Sequence, residues 1–205
     1  MVQKLFDSGV VFGRNMVGII TRPYETYRRI VAQGTLWELA YIGFLLVLYF
    51  ATAAIVKTSL FRPFLLTRQF ILLGTAAGVT FLFTVSLFWQ VGRLFGAKGN
   101  LQGLLLGWGY SLVPTAVWFW MTSLLYVIVP PPRTTSALGI VFSIVFLLTS
   151  ATLFFWKIIL SYLTLRFGLR LDMLRIVAVS VVVLPILAAY SFGMYRLGIF
   201  RIPFI

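Results

Sequence analysis

The sequence predicts an all-α, polytopic membrane protein, with five transmembrane helices in a bundle and amphipathic interfacial helices at the N-terminus. Three observations predict this class. Hydrophobic residues make up 61% of the 205 residues and charged residues only 10%. Mean hydropathy is +1.03, and a soluble domain with so few charges could not cover its surface. Finally, five apolar stretches are each long enough to cross a bilayer, where helices satisfy their own backbone hydrogen bonds.

The predicted spans divide the chain into three parts. The spans run over residues 36–56, 70–91, 104–129, 137–160 and 174–194, and the fourth could extend beyond its polar end as a longer helix. Residues 1–34 form an interfacial segment, residues 35–198 the five-helix domain and residues 199–205 a short tail. The first long apolar run starts too late for a cleavable signal peptide, so none is expected.

The ionisable residues argue against catalysis. The chain has no histidine and no cysteine, so the commonest general base and the commonest metal ligands are missing. The acidic residues are Asp7, Glu25, Glu38 and Asp172. No catalytic, cofactor-binding or metal site is therefore predicted, and we expect a protein that is not an enzyme.

The net charge of +13 is interpreted as attraction to anionic lipid headgroups rather than to nucleic acid, because basic residues cluster at span ends. Ten basic residues fall on the N-terminal side of the predicted membrane and six on the other, so we expect the N-terminus in the cytoplasm and the C-terminus outside. Glu38 is expected to pair with a cytoplasmic arginine. Lys157 is expected near the cytoplasmic end of the fourth span, which would leave no ionisable residue deep in a span.

Two helices are predicted before the first span. Residues 1–20 either lie among the headgroups or pack on the cytoplasmic end of the bundle. A second, amphipathic helix then starts with Thr21 as cap and Pro23 in its first turn, pairs Glu25 with the arginines that follow, and ends near Gly34. Its interfacial anchors or partner-docking residues are Arg22, Pro23, Tyr24, Tyr27, Arg28 and Arg29.

Glycines and prolines give the remaining packing signals. Gly74 and Gly78 are four residues apart, which favours close helix contact inside the bundle or, alternatively, homodimerisation. Gly107 belongs to a second pair of glycines with this four-residue spacing, at the start of the third span. Pro114 and Pro185 should kink or locally break their spans, and prolines 130–132 should form a stiff loop.

Two segments together resemble a known family. They are Arg22-Pro-Tyr-Glu-Thr-Tyr-Arg-Arg-Ile30, and Gly92-Arg-Leu-Phe-Gly-Ala-Lys-Gly-Asn100 running into Gly107-Trp-Gly-Tyr-Ser-Leu-Val-Pro114. With five spans, the chain resembles the YIP family (Ypt/Rab-interacting, Yip-one domain), especially its prokaryotic branch, over about residues 15–195.

The resemblance implies a cytoplasmic N-terminus and a prokaryotic cytoplasmic membrane. Eukaryotic members act in vesicle trafficking with small GTPases, whereas some prokaryotic members accompany ABC-type exporters. This chain lacks the acidic cytoplasmic domain and the Asp-Leu-Tyr-Gly-Pro element, which argues against GTPase binding. We interpret the motif of Gly107, Gly109, Tyr110, Ser111 and Pro114 as a close-packed, kinked helix section, with a binding site as the alternative.

Two functional hypotheses follow. The first is a non-catalytic YIP-like scaffold or accessory subunit in membrane organisation, trafficking or transport, in contact with lipids, with further copies of itself or with an ABC-type exporter. The second is a small permease or lipid-handling protein whose path is lined by hydroxyl and aromatic side chains.

Overall fold

The computed structural model describes residues 2–57, 63–128 and 136–199. Within these ranges it contains helices and no strands. The helices are α1 (Val2–Thr21), α2 (Pro23–Gln33), α3 (Trp37–Lys57), α4 (Pro63–Leu94), α5 (Leu101–Ser111), α6 (Val113–Ile128), α7 (Ala137–Gly168) and α8 (Met173–Arg196).

Four segments are long and apolar enough to cross a membrane: Phe70–Leu94, Leu101–Leu125, Gly139–Gly168 and Met173–Arg196. They correspond to four of the five predicted spans. The first predicted span corresponds to α3, whose apolar part in the described residues is the shorter stretch Trp37–Thr52. The all-helical membrane fold is thus confirmed, and the count of five depends on α3. The predicted loop of prolines 130–132 lies outside the described residues.

The third span is the most buried of the four and lies at the centre of the bundle. Its first half, α5, packs most extensively against α7 and also contacts α2, α3 and α4. The span is interrupted at Leu112, two residues before Pro114, so the predicted break at this proline is confirmed. In contrast, α8 continues through Pro185 without interruption.

The four spans meet at one end, where α4 and α7 finish and α5 and α8 begin. In the turn from α4 to α5, the backbone N–H groups of Lys98 and Gly99 donate to the carbonyl of Leu169 at 3.2 and 3.1 Å. A Cβ on Gly99 would lie 1.8 Å from the carbonyl oxygen of Gly168. Only glycine permits this approach, so the two turns are joined backbone to backbone.

The helices α1 and α2 cover this same end. They contact each other, and together they pack on α3, α5 and α7. We call α1 and α2 the N-terminal layer, and the end that they cover the capped end. Because α8 begins at the capped end, its C-terminal residue Arg196 lies at the opposite end.

The expected position of Lys157 is wrong. It was placed near the end of the fourth span, but α7 continues to Gly168, because Leu163 and Leu165 are buried among neighbouring helices and hold the last turns in place. At 1.5 Å per residue, Lys157 lies about 16 Å before the end of α7. It therefore sits within the candidate span Gly139–Gly168.

Labelling of single cysteines tests the orientation of the bundle. The natural chain has no cysteine, so Asn100→Cys at the capped end and Leu197→Cys after α8 each introduce one target. If the N-terminal layer is cytoplasmic, an impermeant maleimide added to intact cells should label Leu197→Cys, and should label Asn100→Cys only after permeabilisation. The opposite pattern would reverse the orientation.

Candidate functional site

The helix α1 has two faces. Ser8, Asn15 and Ile19 are buried against the bundle, and their spacing of seven and four residues places them on one side of a helix. The outward side carries exposed apolar residues, namely Phe6, Val10, Val17 and Ile20. Packing on the bundle is therefore observed for the inner face. The outer face is left uncovered by described residues, and its position among the headgroups stays a prediction.

A cluster of polar side chains lies between α1 and the bundle. We call it the Glu38 cluster, and it consists of Ser8, Asn15, Arg29, Thr35, Glu38 and Tyr110. Glu38 and Tyr110 are completely buried and Asn15 is 1% exposed. Burial of a carboxylate is costly unless donors satisfy its oxygens. Hydrogen bonds within the cluster must therefore offset the cost of burying the Glu38 carboxylate.

Three donors reach the carboxylate of Glu38. The Tyr110 hydroxyl donates to Oε2 at 2.5 Å, and Asn15 Nδ2 donates to the same oxygen at 2.8 Å. The backbone N–H of Thr35 donates to Oε1 at 2.8 Å. An ionised carboxylate only accepts hydrogen bonds, so three donors match it. The carboxylate thereby joins α1, the start of α3 and α5.

Glu38 also caps the start of α3, the helix to which it belongs. Thr35 precedes α3, and the Glu38 side chain returns to the Thr35 backbone N–H, as in a capping box. The Thr35 hydroxyl lies 3.2 Å from Ser8 Oγ on α1. The local cap and the contact between layers thus share one residue.

The expected pairing of Glu38 with an arginine is wrong in its geometry. Arg29 Nη2 donates to Asn15 Oδ1 at 3.0 Å, and Asn15 then donates to Glu38. The guanidinium therefore reaches the carboxylate through an amide, which donates on one side and accepts on the other. In the described part of the chain the ion pair is instead Arg22 with Glu25, at 3.8 Å and on the surface.

The second tyrosine of this region, Tyr27, is fully buried and its hydroxyl donates to the Gly107 carbonyl at 3.3 Å. Burial raises the pKa of this phenol above its ordinary value, so the hydroxyl stays protonated and able to donate. Tyr27 therefore fixes α2 to α5. It is not available to a bilayer or to a partner.

The predicted docking residues of α2 thus separate into two groups. Arg22, Tyr24 and Arg28 are exposed, whereas Tyr27 and Arg29 turn toward the bundle. Pro23 occupies the first helical turn as expected. Thr21 does not cap α2, because it is the last residue of α1 and its hydroxyl bonds to the Val17 carbonyl.

The motif in the third span lies at close contacts. A Cβ on Gly107 would lie 2.9 Å from Thr164 Cγ2, and one on Gly109 would lie 2.6 Å from Leu39 Cδ2. Ser111 is buried and donates to the Trp108 carbonyl at 2.7 Å. Tyr110 differs from the other motif residues, because its hydroxyl lies in the Glu38 cluster. It therefore takes part both in helix packing and in the hydrogen bonds of that cluster.

Gly74 and Gly78 have no such contacts. A Cβ at either position would meet no described atom within 4 Å. The spacing of two glycines does not indicate which neighbour they face, and here they face away from the described bundle. Packing inside one chain is therefore not observed at this motif, and self-association remains a prediction.

Sequence reasoning missed Asn15 and most of the role of Glu38. Two signals could have found them. Thr35-Leu-Trp-Glu38 has the spacing of a capping box immediately before an apolar run. Ser8 and Asn15 place two polar residues on the otherwise apolar inner face of α1.

Comparison with known proteins gives one match. A family model described as the Yip1 domain matches residues 17–195. No curated protein and no solved structure matches the chain. The matched range includes Arg29, Thr35, Glu38 and Tyr110, whereas Ser8 and Asn15 precede it.

Removal of the Tyr110 hydroxyl tests the cluster. Tyr110→Phe removes one of the three donors to the buried Glu38 carboxylate. The free energy of unfolding of the detergent-solubilised protein should therefore fall by about 1–2 kcal/mol. Glu38→Gln should be worse, because it places an amide donor beside the amide of Asn15. Tyr195→Phe, on a side chain that is 50% exposed, is the control. Equal melting temperatures for Tyr110→Phe and Tyr195→Phe would contradict a structural role for the hydroxyl.

Leucine substitutions distinguish the two glycine motifs. At Gly109 even a Cβ would lie 2.6 Å from Leu39 Cδ2, so the larger side chain of Gly109→Leu does not fit. This substitution should lower the free energy of unfolding by about 1–3 kcal/mol. Gly78→Leu should leave the melting temperature of the monomer unchanged. If Gly78→Leu also weakens self-association, measured by cross-linking in native membranes, homodimerisation through this motif is supported. A loss of monomer stability equal to that of Gly109→Leu would instead show a contact inside the chain.

Proposed function

Because the chain belongs to the YIP family, we propose that it is a non-catalytic integral membrane protein that acts as a scaffold or accessory subunit in membrane organisation, trafficking or transport. The observation that carries the proposal is the N-terminal layer. Glu38 fixes it to the bundle from within, and its outer surface is left for other molecules.

The outer surface of α1 has the composition of a contact surface. Val10 and Val17 are 62% and 63% exposed, and Arg14 is exposed in the same helix. Apolar residues flanked by cations suit the boundary between a bilayer and water, or a membrane-bound partner. We propose that the exposed apolar residues of this surface contact a membrane-bound partner, while Arg14 contacts anionic lipid headgroups at the cytoplasmic face.

The fixed geometry supports a scaffold more than a mobile tail. Each helix of the layer is joined to α5, α1 through Asn15 and α2 through Tyr27. A surface held in one orientation loses little further freedom when a partner binds, which favours affinity. A membrane partner such as an ABC-type exporter is consistent with this arrangement.

Site-specific photo-cross-linking tests the scaffold role. A photoreactive amino acid in place of Val17 should give a discrete protein adduct in native membranes, because this position faces outward from the layer. The matched control is Val181 on α8, which is 66% exposed and lies within the candidate span Met173–Arg196. That position should give lipid adducts.

One result of cross-linking at Val17 and Val181 would contradict the scaffold proposal. If Val17 gives only lipid adducts, as Val181 does, the layer serves as a membrane anchor and the scaffold proposal fails. An adduct of twice the mass of the chain would identify the partner as a second copy.

A further inference from the structure

Three arginines from separate parts of the chain line one cleft at the capped end. Arg28 comes from α2, Arg166 from the last turn of α7, and Arg170 from the turn after it. The cleft has a volume of about 420 Å³, and its other lining residues are Val31, Ala32, Asn100 and Phe167. This volume is within the range of about 300–1,000 Å³ that is usual for small-molecule sites.

Within the part of the chain that the structure describes, no carboxylate neutralises the positive charge of the cleft. In the described part of the chain the ion pair is Arg22 with Glu25, so no described carboxylate lies within 4.0 Å of the three cleft guanidiniums. Arg166 Nη1 donates to the Tyr162 hydroxyl at 3.3 Å, and its guanidinium also interacts with Tyr24. A guanidinium has five N–H donors, so these two partners do not use all of them. Three like charges in one concave surface repel one another and favour an anion between them.

The local backbone holds these charges in place. Arg170 has φ +53°, in the left-handed region that non-glycine residues seldom occupy. Phe167, beside Arg166, contacts Tyr24 edge to face with ring centroids 5.0 Å apart. Across the cleft, Asn100 caps α5 and its Oδ1 accepts from the Gly103 N–H at 2.6 Å. The Asn100 amide nitrogen remains a donor beside the positive end of that helix.

We propose that this cleft binds a phosphate group, supplied either by the headgroup of an anionic lipid or by free phosphate. Planar guanidiniums bind phosphate through paired hydrogen bonds, and the cleft offers three guanidiniums and an amide donor. It lies where the candidate span Gly139–Gly168 ends, which is the level at which a bilayer places its headgroup phosphates. The site is independent of the scaffold role.

Binding to nanodiscs of defined composition tests the site. The full chain is reconstituted in phosphatidylcholine nanodiscs with increasing dioleoyl phosphatidic acid, and thermal stabilisation by the acidic lipid gives an apparent affinity. Arg28→Gln, Arg166→Gln and Arg170→Gln should each weaken that affinity about tenfold or more, since each removes a charge-assisted contact. Arg93→Gln and Arg175→Gln remove the same charge from exposed residues outside the cleft lining and should change it less than twofold.

Two further measurements separate the sources of phosphate and guard against misfolding. Inorganic phosphate is titrated against the chain in neutral detergent. Stabilisation that the three cleft variants abolish shows that free phosphate is a ligand, whereas stabilisation by the lipid alone assigns the site to headgroups. Arg166→Lys keeps the charge but loses the paired geometry, so it should retain an intermediate affinity. Its melting temperature without ligand should equal that of the natural chain.

The proposal is overturned if the cleft variants and the two controls weaken binding equally, because general surface charge then accounts for the attraction. It is also overturned if neither phosphatidic acid nor inorganic phosphate stabilises the natural chain. A loss of lipid binding in the cleft variants with unchanged cross-linking at Val17 would leave the scaffold role standing.

Discussion

The buried carboxylate of Glu38 is the constraint on which the arrangement of the capped end depends. Its three donors come from α1, from the residues just before α3 and from α5. A buried carboxylate is stable only while such donors satisfy its oxygens. The requirement is mutual, since Asn15 and Tyr110 are buried too. Hydrogen bonds to Glu38 therefore hold the N-terminal layer on the bundle, in addition to apolar contacts.

Apolar packing supplies the rest of the attachment. Ile19, Tyr27 and Ile30 from the layer share one buried cluster with Leu106, Leu160 and other residues of α3, α5, α6 and α7. A second cluster joins α4, α5, α7 and α8 around Phe88, Trp108 and Leu169. The helices α5 and α7 belong to both clusters. They form the part of the bundle against which the layer and the last span are both positioned.

Hydropathy and local chemistry predicted the helical class, four of the spans, the break before Pro114 and the start of α2 at Pro23. Each depends on residues close together in sequence. Asn15 and Tyr110 lie 23 and 72 residues from Glu38, and no local pattern states that they meet. The spacing of Gly74 and Gly78 left packing inside the bundle and homodimerisation both open, because spacing does not reveal which way a helix faces. The sequence left open how far the fourth span extends beyond its polar end, because its last turns mix polar residues with the buried Leu163 and Leu165.

The separation of these residues along the chain also orders assembly during synthesis. Asn15 and Thr35 leave the ribosome before Glu38, so the amide and the cap can satisfy part of the carboxylate at once. Tyr110 follows 72 residues later, after α4 has been made. Until then α1 has no α5 against which to close. The first helices to be translated are thus fixed in position only after the middle of the protein has been made.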